Sequence, residues 1–163
     1  MKFKEQLEDL NACEEAVEWV GDRDLKTAWE ECVRGDWMLW LAARLKVDSK
    51  LVALAACDCA ETSLNFVLAD EGRPAAALRI ARAWCAGEVT LDEVKVAASD
   101  ANAAASYAAS YAADAAACAA AACAAYAADA AYAAARRLSL ARSADIVRKR
   151  ISAEILLEEV KDE

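Results

Sequence analysis

The residues able to do chemistry are spread along this chain in a way that argues against catalysis. It has seven Cys and no His, which removes the commonest general base and metal ligand. Cys13, Cys32, Cys57, Cys59, Cys85, Cys118 and Cys123 form no CxxC pair and no familiar zinc set. In Cys57-Asp58-Cys59 the thiols fall on different helical faces, and no adjacent basic residue would hold a thiolate. The cysteines therefore read as small buried hydrophobes in a reducing cytoplasm. Asp58, set among small apolar residues, needs a donor if it is buried, and Arg79 and Arg82 are the candidates. No two carboxylates are spaced to share a site, and neither a glycine-rich phosphate loop nor a nucleophile elbow occurs. A non-catalytic protein with no metal and no cofactor is the expectation.

Binding is the remaining chemistry. Trp37 and Trp40 lie three residues apart within Gly35-Asp36-Trp37-Met38-Leu39-Trp40-Leu41, with Arg44 following at helical spacing. They are either an aromatic anchor for a partner or filling for a core made by short helices. A second stripe runs through Tyr107, Tyr111, Asp114 and Cys118 at steps of four, three and four, and continues to Asp129, Tyr132 and Arg136. Trp37, Trp40, Tyr107, Tyr111, Asp114, Asp129, Tyr132 and Arg136 are the candidate contacts for a partner or ligand.

The elements that must position these residues are helices. No strand alternation or hairpin dipeptide appears, so the fold class is all-α: a bundle of short capped helices plus one or two long alanine-rich ones. Asn11 with Glu14 has capping-box spacing for a helix that Gly21 can end; Asp24 starts another that Gly35 can end; Asp36 caps the next. Asp48 or Ser49 opens a longer helix through Leu51, Leu54, Leu64, Phe66, Val67 and Leu68. Pro74 suits a first turn of a helix that stops at Gly87, and Thr90 with Glu93 makes another capping box.

Residues 101 to 135 hold 24 alanines and no Leu, Ile, Val, Phe, Gly or Pro. Alanine has the best helix propensity but buries too little area to hold a lone domain together, so this tract must pack closely against something. Beyond Gly87 there is neither Gly nor Pro. A single helix from Leu91 to Leu157 would be about 100 Å long, so breaks are expected at Ser99 to Asn102 and at Arg137 to Ser143. The organisation expected is a compact helical part over 1–90, then an alanine-rich long helix or hairpin over 91–163 that packs on it or on another chain. Ala120→Leu or Ala121→Leu should destabilise if those faces are packed.

A net charge of −9 disfavours nucleic acid and anionic membranes as partners. The basic cluster Arg136, Arg137, Arg142, Arg148, Lys149 and Arg150 reads as a solvated helix face with charge pairs. The start, Met1-Lys2-Phe3-Lys4-Glu5, lacks the apolar run of a signal peptide, and Asp114 and Asp129 interrupt the alanine tract as a membrane span. A cytoplasmic location follows as an expectation.

Several segments in order carry a family likeness: Asn11-Ala12-Cys13 leading to Trp19; Arg34-Gly35-Asp36-Trp37-Met38-Leu39-Trp40; Leu54-Ala55-Ala56-Cys57-Asp58-Cys59; Arg73-Pro74 before Ala83-Trp84-Cys85-Ala86-Gly87-Glu88; the alanine run; and Ala144-Asp145-Ile146-Val147-Arg148. This order resembles alanine-rich immunity proteins of bacteria and their phages, closest from Arg73 into the alanine run. The resemblance implies a helical bundle that acts by binding: an immunity factor covering a toxin, or a phage counter-defence factor that antagonises a host defence protein or sequesters a small signalling molecule. Two other readings of the residues remain: a self-associating homo-oligomer built on alanine faces, and a nucleotide-signal binder whose pocket combines Trp37, Trp40 and the Tyr stripe.

Overall fold

The computed structural model describes residues 2–62, 64, 72–100 and 125–161, and the side chains of 125–135 and 161 lie outside that description. The protein is all-α, with no strand among the described residues. The helices are α1 (Phe3–Asp9), α2 (Glu14–Val20), α3 (Leu25–Glu31), α4 (Gly35–Arg44), α5 (Ser49–Glu61), α6 (Arg73–Ala86), α7 (91–100), α8 (Ala125–Arg150) and α9 (Ala153–Lys161).

Much of this punctuation follows from the expected caps. Asp24 accepts from the Thr27 amide at 2.7 Å and opens α3, and Asp48 accepts from the Lys50 amide at 2.9 Å at the start of α5. Thr90 and Glu93 bond reciprocally, the Thr90 amide donating to Glu93 at 2.8 Å and the Glu93 amide to the Thr90 hydroxyl at 3.4 Å. Gly21 at φ +55° ends α2, and Gly87 at φ +81° ends α6, whose Pro74 occupies the first turn.

Five boundaries differ from the sequence expectation. The helix opened at Ser49 does not run through Leu64; α5 stops at Glu61, where the Thr62 amide and hydroxyl both turn back onto the Cys59 carbonyl. Asn11 forms no capping box with Glu14; it takes a left-handed conformation (φ +59°) that closes α1, while Cys13 precedes α2. Asn tolerates that region because its short amide bonds locally, here to the Asp9 carbonyl at 3.4 Å. Gly35 does not end α3, which stops at Glu31; it begins α4. Asp36 is not the cap of α4 but sits in its first turn, its carboxylate taken by Arg34. Finally, α8 runs unbroken through Arg137 to Ser143, and the turn comes at Ile151-Ser152. Ser99 and Asp100 are helical, whereas Ala101, Asn102, the tract to Ala124 with Ala120 and Ala121, and Phe66, Val67 and Leu68 lie outside the described residues.

The chain divides into two units. Residues 1–56 with 140–163 form one, and 57–139 form the other. The core of the first is built by Phe3 and Leu7 on α1, Val20 on α2, Leu25 and Trp29 on α3, Met38 and Leu41 on α4, and Val147, Ile151 and Leu156 from the last part of the chain. Ala144 and Val147 on α8, with Ile151 just past its end, recur at steps of three and four and are fully buried. Burying each large aliphatic side chain contributes about 1.5–3 kcal/mol.

Two polar ties join α3 to α8 within this unit. The Trp29 indole N–H donates to the Ile151 carbonyl at 3.0 Å, closing the end of α8. In return, the Arg148 guanidinium donates to the Cys32 carbonyl at 2.5 Å and the Trp29 carbonyl at 3.3 Å, closing the end of α3. Each helix thus satisfies carbonyls that the other leaves without an intrahelical partner. Arg148 also pairs with Asp145 at 2.6 Å, so one member of the basic cluster is a structural tie rather than part of a solvated face.

In the second unit, Arg82 on α6 bonds Asp58 at 2.9 Å and Glu61 at 2.7 Å. Arg82 is therefore the donor that Asp58 requires, of the two candidates considered. Cys57 beside it is buried, and burial pushes its thiol above the usual cysteine range.

Candidate functional site

The site is a cavity of about 400 Å³ in the first unit, lined from α1 to α4 by Phe3, Leu7, Asn11, Ala12, Cys13, Ala16, Trp19, Val20, Ala28, Trp29, Cys32, Asp36, Trp37, Met38, Trp40 and Leu41. Its position follows from the faces of α4. Met38, Leu41, Ala42 and Leu45 are buried on one side, which leaves Trp37 and Trp40 half-buried on the adjacent side, where they meet the cavity. Trp19 on α2 approaches Trp37 with ring centroids 6.1 Å apart and planes tilted by 58°, an edge-biased geometry that suits the two quadrupoles. Trp29 is buried and tied to Ile151.

Each of the three half-buried indoles carries an arginine. The Arg34 guanidinium carbon lies 4.2 Å from the Trp37 ring centroid, that of Arg23 4.9 Å from Trp19, and that of Arg44 5.5 Å from Trp40. The first two of these cations are themselves held. Arg34 forks onto Asp36 at 2.9 and 2.7 Å and reaches Glu15 at 3.3 Å. Arg23 bonds Glu31 at 2.8 Å and also donates to the Trp19 carbonyl at 2.7 Å, closing α2. The hydrogen bond from Arg34 holds the Asp36 carboxyl below its ordinary range, and the same bond raises Arg34 above its own. The Trp37 and Trp19 rings thus lie under cations whose charge is already matched by Asp36, Glu15 and Glu31.

Two polar groups at the cavity are committed elsewhere. Asp36 faces Arg34, and the Asn11 amide donates to the Asp9 carbonyl. Burial raises the Cys32 thiol above its usual range, which keeps it protonated. Cys13, expected as a buried hydrophobe, is instead exposed, because it occupies the extended residue ahead of α2. Among the described residues no group of His, Cys, Asp and Glu could hold a metal ion.

Of the residues expected to contact a partner, Trp37 and Trp40 are brought together here. Asp129 and Tyr132 fall on α8 with Arg136, which is exposed, at steps of three and four, and these three belong to the second unit. Tyr107, Tyr111 and Asp114 lie outside the described residues. Arg44 follows Trp40 at helical spacing in the sequence, whereas Trp29, Arg23 and Arg34 carry no such signal. Arg34-Gly35-Asp36 placed an acid beside a base, but nothing in the local pattern connects Trp29 with Ile151 or Arg148, more than a hundred residues away.

The described residues are all-helical apart from turns and loops, and the first unit carries an arginine-braced tryptophan cavity. The family model described as "Imm-5 like putative immunity protein" matches residues 45–152, more than half of the chain, and the chain belongs to that family. The match includes the α8 residues that tie α3, whereas the four cavity tryptophans lie ahead of it. No curated protein and no solved structure matches the chain.

Proposed function

We propose that this immunity-family protein acts in the cytoplasm without catalysis, by stoichiometric binding to a protein partner that is a toxin or a defence protein. The observation that carries the reading is the braced tryptophan cavity, in a chain of a family described as immunity proteins. Trp and Arg are enriched at binding hot spots, Trp because its rigid ring buries a large area at low entropic cost, and Trp19, Trp37 and Trp40 are pre-positioned by Arg23, Arg34 and Arg44. A nucleotide signal fits less well: its phosphates need convergent cationic or amide donors, and the cavity is lined mainly by apolar and aromatic side chains with Asp36 as its charged residue. No helix among the described residues is long and apolar enough to cross a membrane.

The test is co-expression with each toxin-domain protein encoded beside its gene, scored by growth and by co-elution of a complex of defined stoichiometry. Restored growth with a stable complex supports the reading; continued killing by every such toxin, with no complex, refutes it. Within the complex, Trp40→Ala should weaken binding by about 2 kcal/mol, roughly thirtyfold, while leaving the helical circular dichroism unchanged. Light scattering of the free protein checks the expected homo-oligomer independently.

A further inference from the structure

The tryptophan cavity does not stand alone on its face of the molecule. A second, shallower groove shares its Asn11 and Ala12 wall and runs between α1 and α2, lined by Lys4, Glu8, Glu14, Val17 and Glu18. Three carboxylates against one ammonium make this groove net negative. The side chains of Glu8, Glu14 and Glu18 are exposed, and none enters a hydrogen bond or ion pair among the described residues. Beside them the cavity presents indole rings and apolar side chains, and its charged lining residue, Asp36, is paired with Arg34. An apolar socket continuous with an acidic trough has a defined complement.

We propose that this surface takes a basic segment of a partner protein, one large apolar side chain entering the tryptophan cavity and the neighbouring lysines or arginines lying along Glu8, Glu14 and Glu18. The inference rests on the binding role argued above and names the chemistry of the partner. Charge complementarity sets the occupant. An acidic segment would meet the groove carboxylates and a chain of net charge −9, whereas a basic one is attracted before contact and held in register after it. The arginines over Trp19 and Trp37 do not reverse this preference, because Glu31, Asp36 and Glu15 already neutralise them. The socket supplies the apolar anchor and the trough supplies the sign.

The experiment uses the full chain and three fluorescein-labelled peptides: a Phe-Leu pair flanked by lysines, the same pair flanked by glutamates, and the lysine peptide with Phe-Leu replaced by Ser-Ser. Fluorescence anisotropy should show the first binding at least about tenfold more tightly than either other, with affinity falling as salt rises. Reversing the exposed trough with Glu14→Lys and Glu18→Lys should cost the first peptide about tenfold or more and flatten its salt dependence. Narrowing the socket with Ala12→Leu should weaken both Phe-Leu peptides while the circular dichroism holds. Equal affinity for the lysine and glutamate peptides, or no effect of the charge reversal, would overturn the proposal. The same double variant in the growth assay separates the two readings: full protection by Glu14→Lys/Glu18→Lys keeps the binding role and discards the basic-segment surface. Failure of the unmodified chain to protect discards the immunity role, while the peptide preferences still decide the surface.

Discussion

A methyl group added at Gly35 would lie 2.5 Å from Ser143 Cβ and 2.7 Å from the Ala144 nitrogen, on the backbone of α8. Because backbone rather than a flexible side-chain end is in the way, Gly35→Ala should destabilise by about 1–3 kcal/mol, measured by urea denaturation. The residue looked like a helix stop in the sequence, since glycine marks both stops and close approaches, and only the approach of α8 decides between them. Arg148 is similar. Arg148→Met keeps the stem but removes the donor to the Cys32 and Trp29 carbonyls, at a cost of about 1.5–3 kcal/mol. Asp36 gives a pH signature. Its folded pKa lies below the ordinary 3.8, so the Arg34 pair contributes fully above that value and the contribution is lost as pH falls through the folded one. Asp36→Asn should therefore flatten the acid side of the stability profile while lowering stability at neutral pH, by an amount that solvent screening keeps small.

Among the helices, legibility tracks how local the cause is. Asp24, Thr90 with Glu93, Pro74 and Gly87 act within a turn of themselves, and their helices begin or end where the residues indicate. The continuity of α8 was not legible, because Ser139 and Ser143 carry competing hydroxyls while the stabilising contacts come from Gly35 and α3. The cavity was half legible. Trp37, Trp40 and Arg44 announce a helical face by spacing, but Trp19 joins them through a bend at Gly21 and a tie from Arg34 to Asp36 that no periodicity encodes. The short helices α1 to α3, of seven residues each, are too brief to persist alone. Replacing Ile151 by Ala, which removes a fully buried side chain beneath the Trp29 tie, should cost about 2–5 kcal/mol and diminish the near-ultraviolet tryptophan signal.

For the whole molecule, composition sets partner classes more firmly than it sets neighbours. The acidic balance and missing histidines bear on chemistry wherever the residues sit, but they do not say that 140–163 belong with 1–56. Truncation after Ser139 should therefore leave Trp29 without its acceptor and abolish the cooperative near-ultraviolet transition of the first unit, checked against the full chain by thermal melting. The same discontinuity has a consequence in time. A ribosome releases α1 to α4 well before it releases the end of α8, with 57–139 translated in between; at about 5–20 residues per second the wait is several seconds. During that interval the indole of Trp29 has no carbonyl to meet, and the core faces of α1 to α4 lack Val147, Ile151 and Leu156. The newborn chain is then at its most adhesive, and a tight-binding partner made in the same cell would encounter it unfinished.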